Sequence, residues 1–241
     1  KFLDIKCPVA GLKPKAMVLV ATVRDLSHHC GAKKEEYNTP NMEYVKKGFG
    51  NLAKHMENCK KFGLTPVVAV NNFYTDSDEE VNFIIAECAK VGVKAVVSRG
   101  WGMGGNGTME LAQVVVDVIE SGSNNYQPLY DWTLPIEDKI KKIATEIYGA
   151  DDVTYSPKAK SQLKEFAKLN IDQLPVCMAK TQKSFTDNEN KIGRPTGFTV
   201  NVREFELAHG AGFVVPILGE MMRMPGLPAI PASEGMDIDN S

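Results

Sequence analysis

The chain has 241 residues, of which 43% are hydrophobic and 24% are charged, and its formal net charge is -2 at pH 7. This length allows one large or two small domains with a sizeable core. The small negative charge argues against a nucleic-acid-binding protein, whose surface is usually basic, and no apolar run approaches the roughly 18 residues that a membrane span needs.

Three strand–helix units are predicted in the first half of the chain. Buried strands rich in β-branched residues are expected at residues 16–23, 65–70 and 93–97. The helices that follow them are expected at residues 41–62, from the capping box of Ser77 and Glu80 to about residue 91, and at residues 109–119. Successive units of this kind predict a parallel sheet with helices on its faces.

The pattern changes after the polar sequence SGSNN at residues 121–125, which is the best candidate for a domain boundary. Beyond this boundary we expect helices at residues 135–148 and 157–169, and short strands near residues 175–178, 198–203 and 213–217. The sequence therefore predicts an α/β domain over residues 1–122 and a smaller α+β domain over residues 123–241.

A glycine-rich segment, WGMGGNG at residues 101–107, lies between the third strand and its helix. Ligands bind α/β sheets beyond the carboxyl ends of the strands, glycines let the backbone approach a ligand, and Trp101 offers a flat face to a ring. The glycines also match GxGxxG, but no further strand follows to supply the acidic residue of a dinucleotide site. A different ligand loop, a dinucleotide site and a plain structural turn all remain open.

The end of the second strand carries further candidate residues. Asn71 can read the edge of a heterocycle, because its amide both donates and accepts hydrogen bonds, and Phe73 and Tyr74 can wall a pocket. The alternative is a turn in which Asn72 and Asp76 bond their own backbone.

Arg24 follows the first predicted strand, at the same edge of the sheet. An arginine there suits a carboxylate or a phosphate, and the alternative is a structural ion pair with Asp25 or another neighbour. No metal site is predicted from His28, His29 and Cys30, because adjacent residues rarely converge on one ion and no second cluster has ligand spacing. No catalytic residue can be named from the sequence.

Other motifs set limits on the function. The sequence contains no GxxxxGK[ST], so it has no P-loop of its own. None of its five cysteines forms a CxxC pair, which favours reduced thiols and a cytoplasmic protein, with a mitochondrial location left open. Because the chain opens at Lys1 without an initiator methionine, we expect a fragment or a processed product. MMRMPGLP at residues 221–228 predicts either a rigid loop over a pocket or a structured connection.

Several sequence words, in the same order, resemble the formate–tetrahydrofolate ligase family. They are FLDIKC at residues 2–7, GLKP at 11–14, VATVR at 20–24, the segment 63–76, WGMGGNG at 101–107, EDKI at 137–140, IYGAD at 147–151, MAKT at 178–181 and MPGLP at 224–228. The resemblance extends over nearly the whole chain and matches the C-terminal part of the family's proteins.

This resemblance implies an ATP-dependent ligase that joins formate to tetrahydrofolate through formyl phosphate, giving 10-formyltetrahydrofolate, ADP and phosphate. It also implies Mg²⁺ with the nucleotide, activation by K⁺ or NH₄⁺, and a homotetramer, while charge and hydropathy predict no nucleic-acid or membrane partner. The first domain would then be part of a P-loop-NTPase-like nucleotide-binding domain, whose P-loop belongs to the missing N-terminal half of the enzyme.

The resemblance also implies the positions of the binding residues. Trp101 matches the family's pterin-stacking tryptophan, and the folate site includes residues from two strand ends. Those residues are Asn71, Phe73, Tyr74, Gly104 and Gly105. Val97 and Ser98 match the segment near the adenine of the nucleotide.

Four positions depart from the family pattern. Pro8 and Arg223 stand where arginine and threonine are common, and Asp25 and Cys30 replace alanine and glycine. Together with the absent P-loop, these departures leave open a non-catalytic folate-binding or assembly module. A nicotinamide-dependent oxidoreductase is a third hypothesis, which rests on the GxGxxG glycines alone.

Overall fold

The computed structural model describes residues 1–219 and 230–236. Its strands form two three-stranded sheets, and helices flank these sheets. In chain order they are α1 (Cys7–Ala10), β1 (Val18–Ala21), α2 (Val23–Cys30), α3 (Met42–Lys61), β2 (Val67–Asn71), α4 (Asp78–Lys90), β3 (Ala95–Ser98), α5 (Gly100–Met103), α6 (Met109–Ser121), α7 (Ile136–Lys142), β4 (Asp152–Tyr155), α8 (Pro157–Lys168), β5 (Thr199–Ala208) and β6 (Phe213–Leu218).

The first sheet is parallel, as the strand–helix pattern predicts, and its strand order is β1-β2-β3. Its register pairs Val18 with Val67 and Asn71 with Ser98. Residues of α2, α3 and α4 form an apolar cluster with residues of all three strands. A separate cluster joins α6 to Val67 and Val96. Helices therefore lie on both faces of the sheet, although Val18 and Val20 of the edge strand β1 remain exposed on the face that carries α6.

Local signals place the helix ends of this sheet correctly. The predicted capping box of Ser77 and Glu80 begins α4, where the Ser77 hydroxyl accepts from the Glu80 N–H at 3.3 Å. The helix predicted after the glycine-rich segment is α6, and Gly122 ends it in the left-handed conformation that favours glycine. Residues 22–24, predicted as the end of a strand, instead begin α2, because the Thr22 hydroxyl accepts from the Asp25 N–H and caps a helix.

The second sheet has the order β4-β5-β6. In this sheet β4 runs parallel to β5, and β6 runs antiparallel to β5. The predicted strands near residues 198–203 and 213–217 correspond to β5 and β6, whereas β4 was not predicted. The strand expected at residues 175–178 is wrong, because this segment forms only isolated bridges, such as Val176 with Val214. The predicted helix at 135–148 is α7, which continues as a π-helix from Ile143–Tyr148.

The largest apolar cluster of the described residues joins the segment between α3 and β2 to the second sheet and its helices. It combines Phe62 and Leu64, which lie between α3 and β2, with buried residues of the C-terminal part such as Ile140, Val200 and Leu218. The domain boundary at residues 121–125 stays a prediction.

The loop that contains Gly193 also joins the C-terminal part to α2 and α3. The Asn51 amide donates to the Gly193 carbonyl oxygen at 2.8 Å, and the Gly193 N–H donates to His29 Nδ1 at 3.2 Å. Arg194 forms a two-point hydrogen bond with the Glu57 carboxylate at 2.8 and 2.7 Å. Since His29 accepts a hydrogen bond through Nδ1, this nitrogen carries no proton and the ring is neutral. Burial favours the neutral ring and lowers the pKa of His29 to about 4.

We expect His29→Asn to reduce the loss of stability on acidification. The ordinary histidine pKa is 6.5 and that of folded His29 is about 4, so between these values the unfolded chain binds more protons than the folded protein. The contribution of His29 is therefore complete above pH 6.5 and is lost as the pH falls toward 4. Asparagine keeps an acceptor for Gly193 but does not titrate.

Urea unfolding at pH 7 and pH 5 measures this difference. The unfolding midpoint should fall less in His29→Asn than in the wild type, and equal falls would contradict the prediction. His55→Gln should reduce the fall of the midpoint in the same direction, because burial also lowers the pKa of His55.

Candidate functional site

The carboxyl ends of β1, β2 and β3 lie at one edge of the parallel sheet, and all the predicted site residues follow or end these strands. Arg24 lies in the first turn of α2, just after β1. Asn71 and Ser98 end β2 and β3 and pair with each other in the register. The Asn72 N–H then extends the contact by donating to the Ser98 carbonyl oxygen at 3.0 Å. Parallel topology thus brings together residues that are far apart in the sequence.

The glycine-rich segment forms two short helical turns rather than an open loop. These are α5 and a 3₁₀ helix over Gly104–Thr108. The Arg99 N–H donates to the Gly107 carbonyl oxygen at 3.0 Å and closes the segment. A Cβ on Gly107 would lie 2.5 Å from the Arg99 carbonyl oxygen, so this backbone approach requires glycine. Gly104 has φ +56°, which is a second conformation that favours glycine.

The closed turn presents Trp101 to solvent. Its side chain is 90% exposed, although tryptophan is normally a largely buried residue. Added Cβ atoms on Gly102, Gly104 and Gly105 would meet nothing within 4 Å, so the space around this part of the turn is open. Tyr74, after β2, is 88% exposed. Two large aromatic side chains at the edge where α/β proteins bind ligands are the main feature of the site.

The segment after β2 is a turn that bonds its own backbone, as the alternative interpretation predicts. The Asp76 carboxylate accepts from the Phe73 N–H at 2.8 Å, and the Asn72 amide donates to the Phe73 carbonyl oxygen at 3.2 Å. Burial raises the pKa of Asp76, and the hydrogen bond from Phe73 opposes this effect. This turn accounts for Asn72 and Asp76, and it sets the positions of Phe73 and Tyr74.

Arg24 does not form the ion pair with Asp25 or another neighbour that was the alternative to an anion-binding role. Within residues 1–219 and 230–236, no carboxylate oxygen lies within 4.0 Å of its guanidinium. Its Cζ lies 4.0 Å from the centre of the Phe73 ring, and Nη2 donates to the Thr75 hydroxyl at 3.4 Å. Nε is buried without a partner. The two strand ends are therefore connected by a cation–π contact.

Arg99 is a residue of this edge that the sequence interpretation missed. Its Nε donates to Asn72 Oδ1 at 3.2 Å, so it ties the end of β3 to the turn after β2. Its position immediately after a predicted strand is the same signal that identified Arg24, and it could have been used here.

The polar side chains of Asn71 and Ser98 have no hydrogen-bond partner within the described part of the protein. Among the described residues, neither the Asn71 amide nor the Ser98 hydroxyl makes a side-chain hydrogen bond. Both are half-buried, as is Val97, which precedes Ser98 in β3. Their hydrogen-bonding capacity is therefore available to water or to a ligand.

Other predicted features lie away from this edge. His28 Nδ1 is 2.8 Å from the Tyr37 hydroxyl, and in the described part of the chain no group of three His, Cys, Asp or Glu side chains could hold a metal ion. The segment 221–228 and its Arg223 lie outside the described residues. No helix within residues 1–219 and 230–236 has the length and apolar character to cross a bilayer.

A cavity of about 320 Å³ lies elsewhere, between α3 and the loop around Lys180 and Phe185. Burial lowers the pKa of Lys180 to about 8, and its ammonium donates to the Thr181 carbonyl oxygen at 2.8 Å. None of the predicted site residues lines this cavity.

The structure is an α/β protein whose parallel sheet carries exposed aromatic rings and a glycine turn at its carboxyl edge, which is the edge where folds of this class bind ligands. The sequence model of the formate–tetrahydrofolate ligase family matches residues 1–241. The chain therefore belongs to the formate–tetrahydrofolate ligase family. The activity of this family is the ligation of formate to tetrahydrofolate, with ATP and tetrahydrofolate as substrates.

Proposed function

We propose that this chain forms the tetrahydrofolate-binding part of a formate–tetrahydrofolate ligase, with the pterin ring stacked on Trp101. The observation that carries this proposal is the 90% exposure of the Trp101 side chain on a turn that hydrogen bonds hold in place. An exposed indole has an unused apolar face, and a bound pterin would bury it.

The neighbouring residues would complete the folate site. Gly104 and Gly105 leave open space beside the turn, so a flat ring can approach the backbone. Phe73 and Tyr74 would form a side wall, and the unpartnered Asn71 amide would bond the polar edge of the pterin.

The nucleotide would lie at the same edge of the sheet, together with an anionic carboxylate or phosphate group of a substrate. Val97 and Ser98 would lie near the adenine. Arg24 is the candidate for binding the anion, because its guanidinium has donors left over after bonding Thr75.

The reaction proposed for the complete enzyme has two steps. Formate attacks the γ-phosphorus of ATP, which gives formyl phosphate and ADP. The N10 amine of tetrahydrofolate then attacks the formyl carbon, loses a proton and expels phosphate, so 10-formyltetrahydrofolate is formed. The residues of this chain would bind and orient the folate, which brings N10 to the formyl group and lowers the entropic part of the barrier.

The phosphate-binding part of the reaction would come from elsewhere. The sequence has no GxxxxGK[ST], and we propose that the P-loop belongs to the N-terminal half of the enzyme, in a P-loop-like nucleotide-binding domain. Mg²⁺, a monovalent cation and a homotetramer belong to the same proposal. No step is assigned to Mg²⁺ on this chain, because no three His, Cys, Asp or Glu side chains of the described part are grouped to hold it.

Calorimetric titration of the whole chain with tetrahydrofolate tests the proposed function. Saturable binding of one folate per chain, together with no formation of ADP from ATP and formate, is the expected result. Absence of folate binding would contradict the folate assignment, and formation of ADP by this chain would contradict the division of labour.

A non-catalytic folate-binding or assembly module is the second candidate, and the absent P-loop motivates it. Two of the departures from the family pattern are compatible with an intact fold. Asp25 lies in the first turn of α2, where a negative charge is favourable, and Cys30 ends the same helix before Gly31. A full-length sequence without GxxxxGK[ST] would favour the module over the ligase.

A further inference from the structure

Phe73 is held in an unusual way for an aromatic residue. Its side chain is half-buried, yet it belongs to none of the apolar clusters of the described residues. The ring contact that the structure gives it is with Arg24, whose Cζ lies over the ring at 4.0 Å from its centre. The ring is therefore packed against a cation rather than against a hydrophobic core.

The backbone of Phe73 is fixed separately from its ring. Its N–H donates to Asp76 at 2.8 Å and its carbonyl oxygen accepts from Asn72 at 3.2 Å. Asn72 in turn accepts from Arg99 at 3.2 Å. These bonds set the position of the Cα atom but leave rotation about the side-chain torsions free. The orientation of the ring must come from what lies against it.

Arg24 is well suited to orient the ring. Nη2 donates to the Thr75 hydroxyl at 3.4 Å, two residues after Phe73. Nε is buried and has no partner, so hydrogen bonds do not account for the whole placement of the guanidinium. The planar group has a face to offer the ring, which a lysine ammonium lacks.

We propose that Arg24 is a positioning residue that holds the Phe73 ring in the orientation needed for tetrahydrofolate binding, an inference that rests on the proposed function. In this role Arg24 acts through Phe73 and does not itself contact the folate. The contact connects the end of β1 to the end of β2, so the first strand would influence a folate site whose other residues come from β2 and β3.

A double-mutant cycle tests this role. We expect Arg24→Gln to weaken tetrahydrofolate binding about fivefold, the magnitude typical of one cation–π contact. In the Phe73→Leu background, Arg24→Gln should have no further effect, because the ring on which it acts is gone. Equal effects in the two backgrounds would overturn the inference and would indicate a direct contact between Arg24 and the ligand.

Arg24→Lys separates charge from shape. This substitution keeps the positive charge but loses the planar face. The fold-change in folate affinity should therefore be at least half of the fold-change caused by Arg24→Gln. Binding equal to that of the wild type would show that only the charge matters and would overturn the inference. Urea unfolding of each variant checks that the fold is retained, and only a small decrease of the midpoint is expected, because the variants lose the contacts with Phe73 and Thr75 but no contact of an apolar cluster.

Nuclear magnetic resonance distinguishes failure of this inference from failure of the proposed function. In the wild type, the δ-methylene protons of Arg24 should be shifted upfield by the Phe73 ring, and Phe73→Leu should remove the shift. Absence of the shift would overturn the inference even if tetrahydrofolate binds. If the shift is present but the wild type binds no tetrahydrofolate, the proposed function fails and the contact is purely structural.

Discussion

Replacing Trp101 with alanine should weaken tetrahydrofolate binding by at least tenfold, which corresponds to about 1.4 kcal/mol. The stacking of a flat heterocycle on an aromatic side chain contributes about 1–3 kcal/mol, so this loss is within the expected range. The free energy of unfolding should be unchanged, because a side chain that is 90% exposed contributes little to the core. Calorimetric titration measures the affinity, and urea unfolding measures the stability.

Two further variants control for this result. Trp101→Phe keeps an aromatic face and should retain most of the affinity. Met109→Ala removes another exposed apolar side chain, 66% exposed at the start of α6, and should leave folate binding unchanged. If all three variants bound tetrahydrofolate with wild-type affinity, the pterin could not lie on Trp101.

Replacing Gly48 with alanine should destabilise the fold by about 3 kcal/mol, at the upper end of typical overpacking costs. Gly48 lies in α3 where this helix crosses α2. A Cβ at this position would overlap the Leu26 carbonyl oxygen and lie 2.9 Å from the Leu26 Cα. Because both obstacles are backbone atoms, the two helices would have to move apart. Such a loss is a large fraction of the total stability of a typical domain.

Gly50 in the same helix offers a matched control. A Cβ there would lie 3.6 Å from the Arg194 Cβ, which is an ordinary contact. Gly50→Ala should therefore leave the stability unchanged or raise it by up to about 1 kcal/mol, because alanine favours a helix over glycine. Urea unfolding at pH 7 compares the two variants, and equal stabilities would show that α2 and α3 do not pack as closely as the structure has them.

Gly48→Ala is also expected to weaken folate binding at the sheet edge. Arg24 and Leu26 lie on the same short helix, so a displacement of α2 would move the guanidinium away from Phe73. The stability effect and the binding effect can be separated by measuring folate affinity at a temperature where Gly48→Ala remains folded.

The sequence contained most of the information on local structure. The β-branched runs identified the three strands of the first sheet, and the Ser77 capping box and Gly122 marked helix ends that the structure confirms. These signals act between residues only a few positions apart, so they can be recognised without knowing the path of the chain. The distributed family words pointed to the formate–tetrahydrofolate ligase family, which the family match confirms.

The predictions of strands were wrong where strand formation depends on pairing with a segment that is distant in the sequence. The segment at 175–178 has the composition of a strand but makes only isolated bridges with β6, such as Val176 with Val214. In contrast, Asp152–Tyr155 has a weak local pattern and becomes a strand because it pairs with β5. Strand formation depends on a partner, and the partner of each segment is set by the tertiary fold.

The candidate site shows the same division. The sequence by itself determined three features: the turn between the third strand and its helix, the glycines of that turn, and the family to which the chain belongs. Only the tertiary structure decided that Arg24 packs on Phe73 instead of pairing with Asp25, and that Gly107 meets the Arg99 carbonyl oxygen. The physical reason is separation along the chain: Arg24 and Thr75 are 51 residues apart, and their contact exists only because parallel pairing brings the ends of β1 and β2 to one edge.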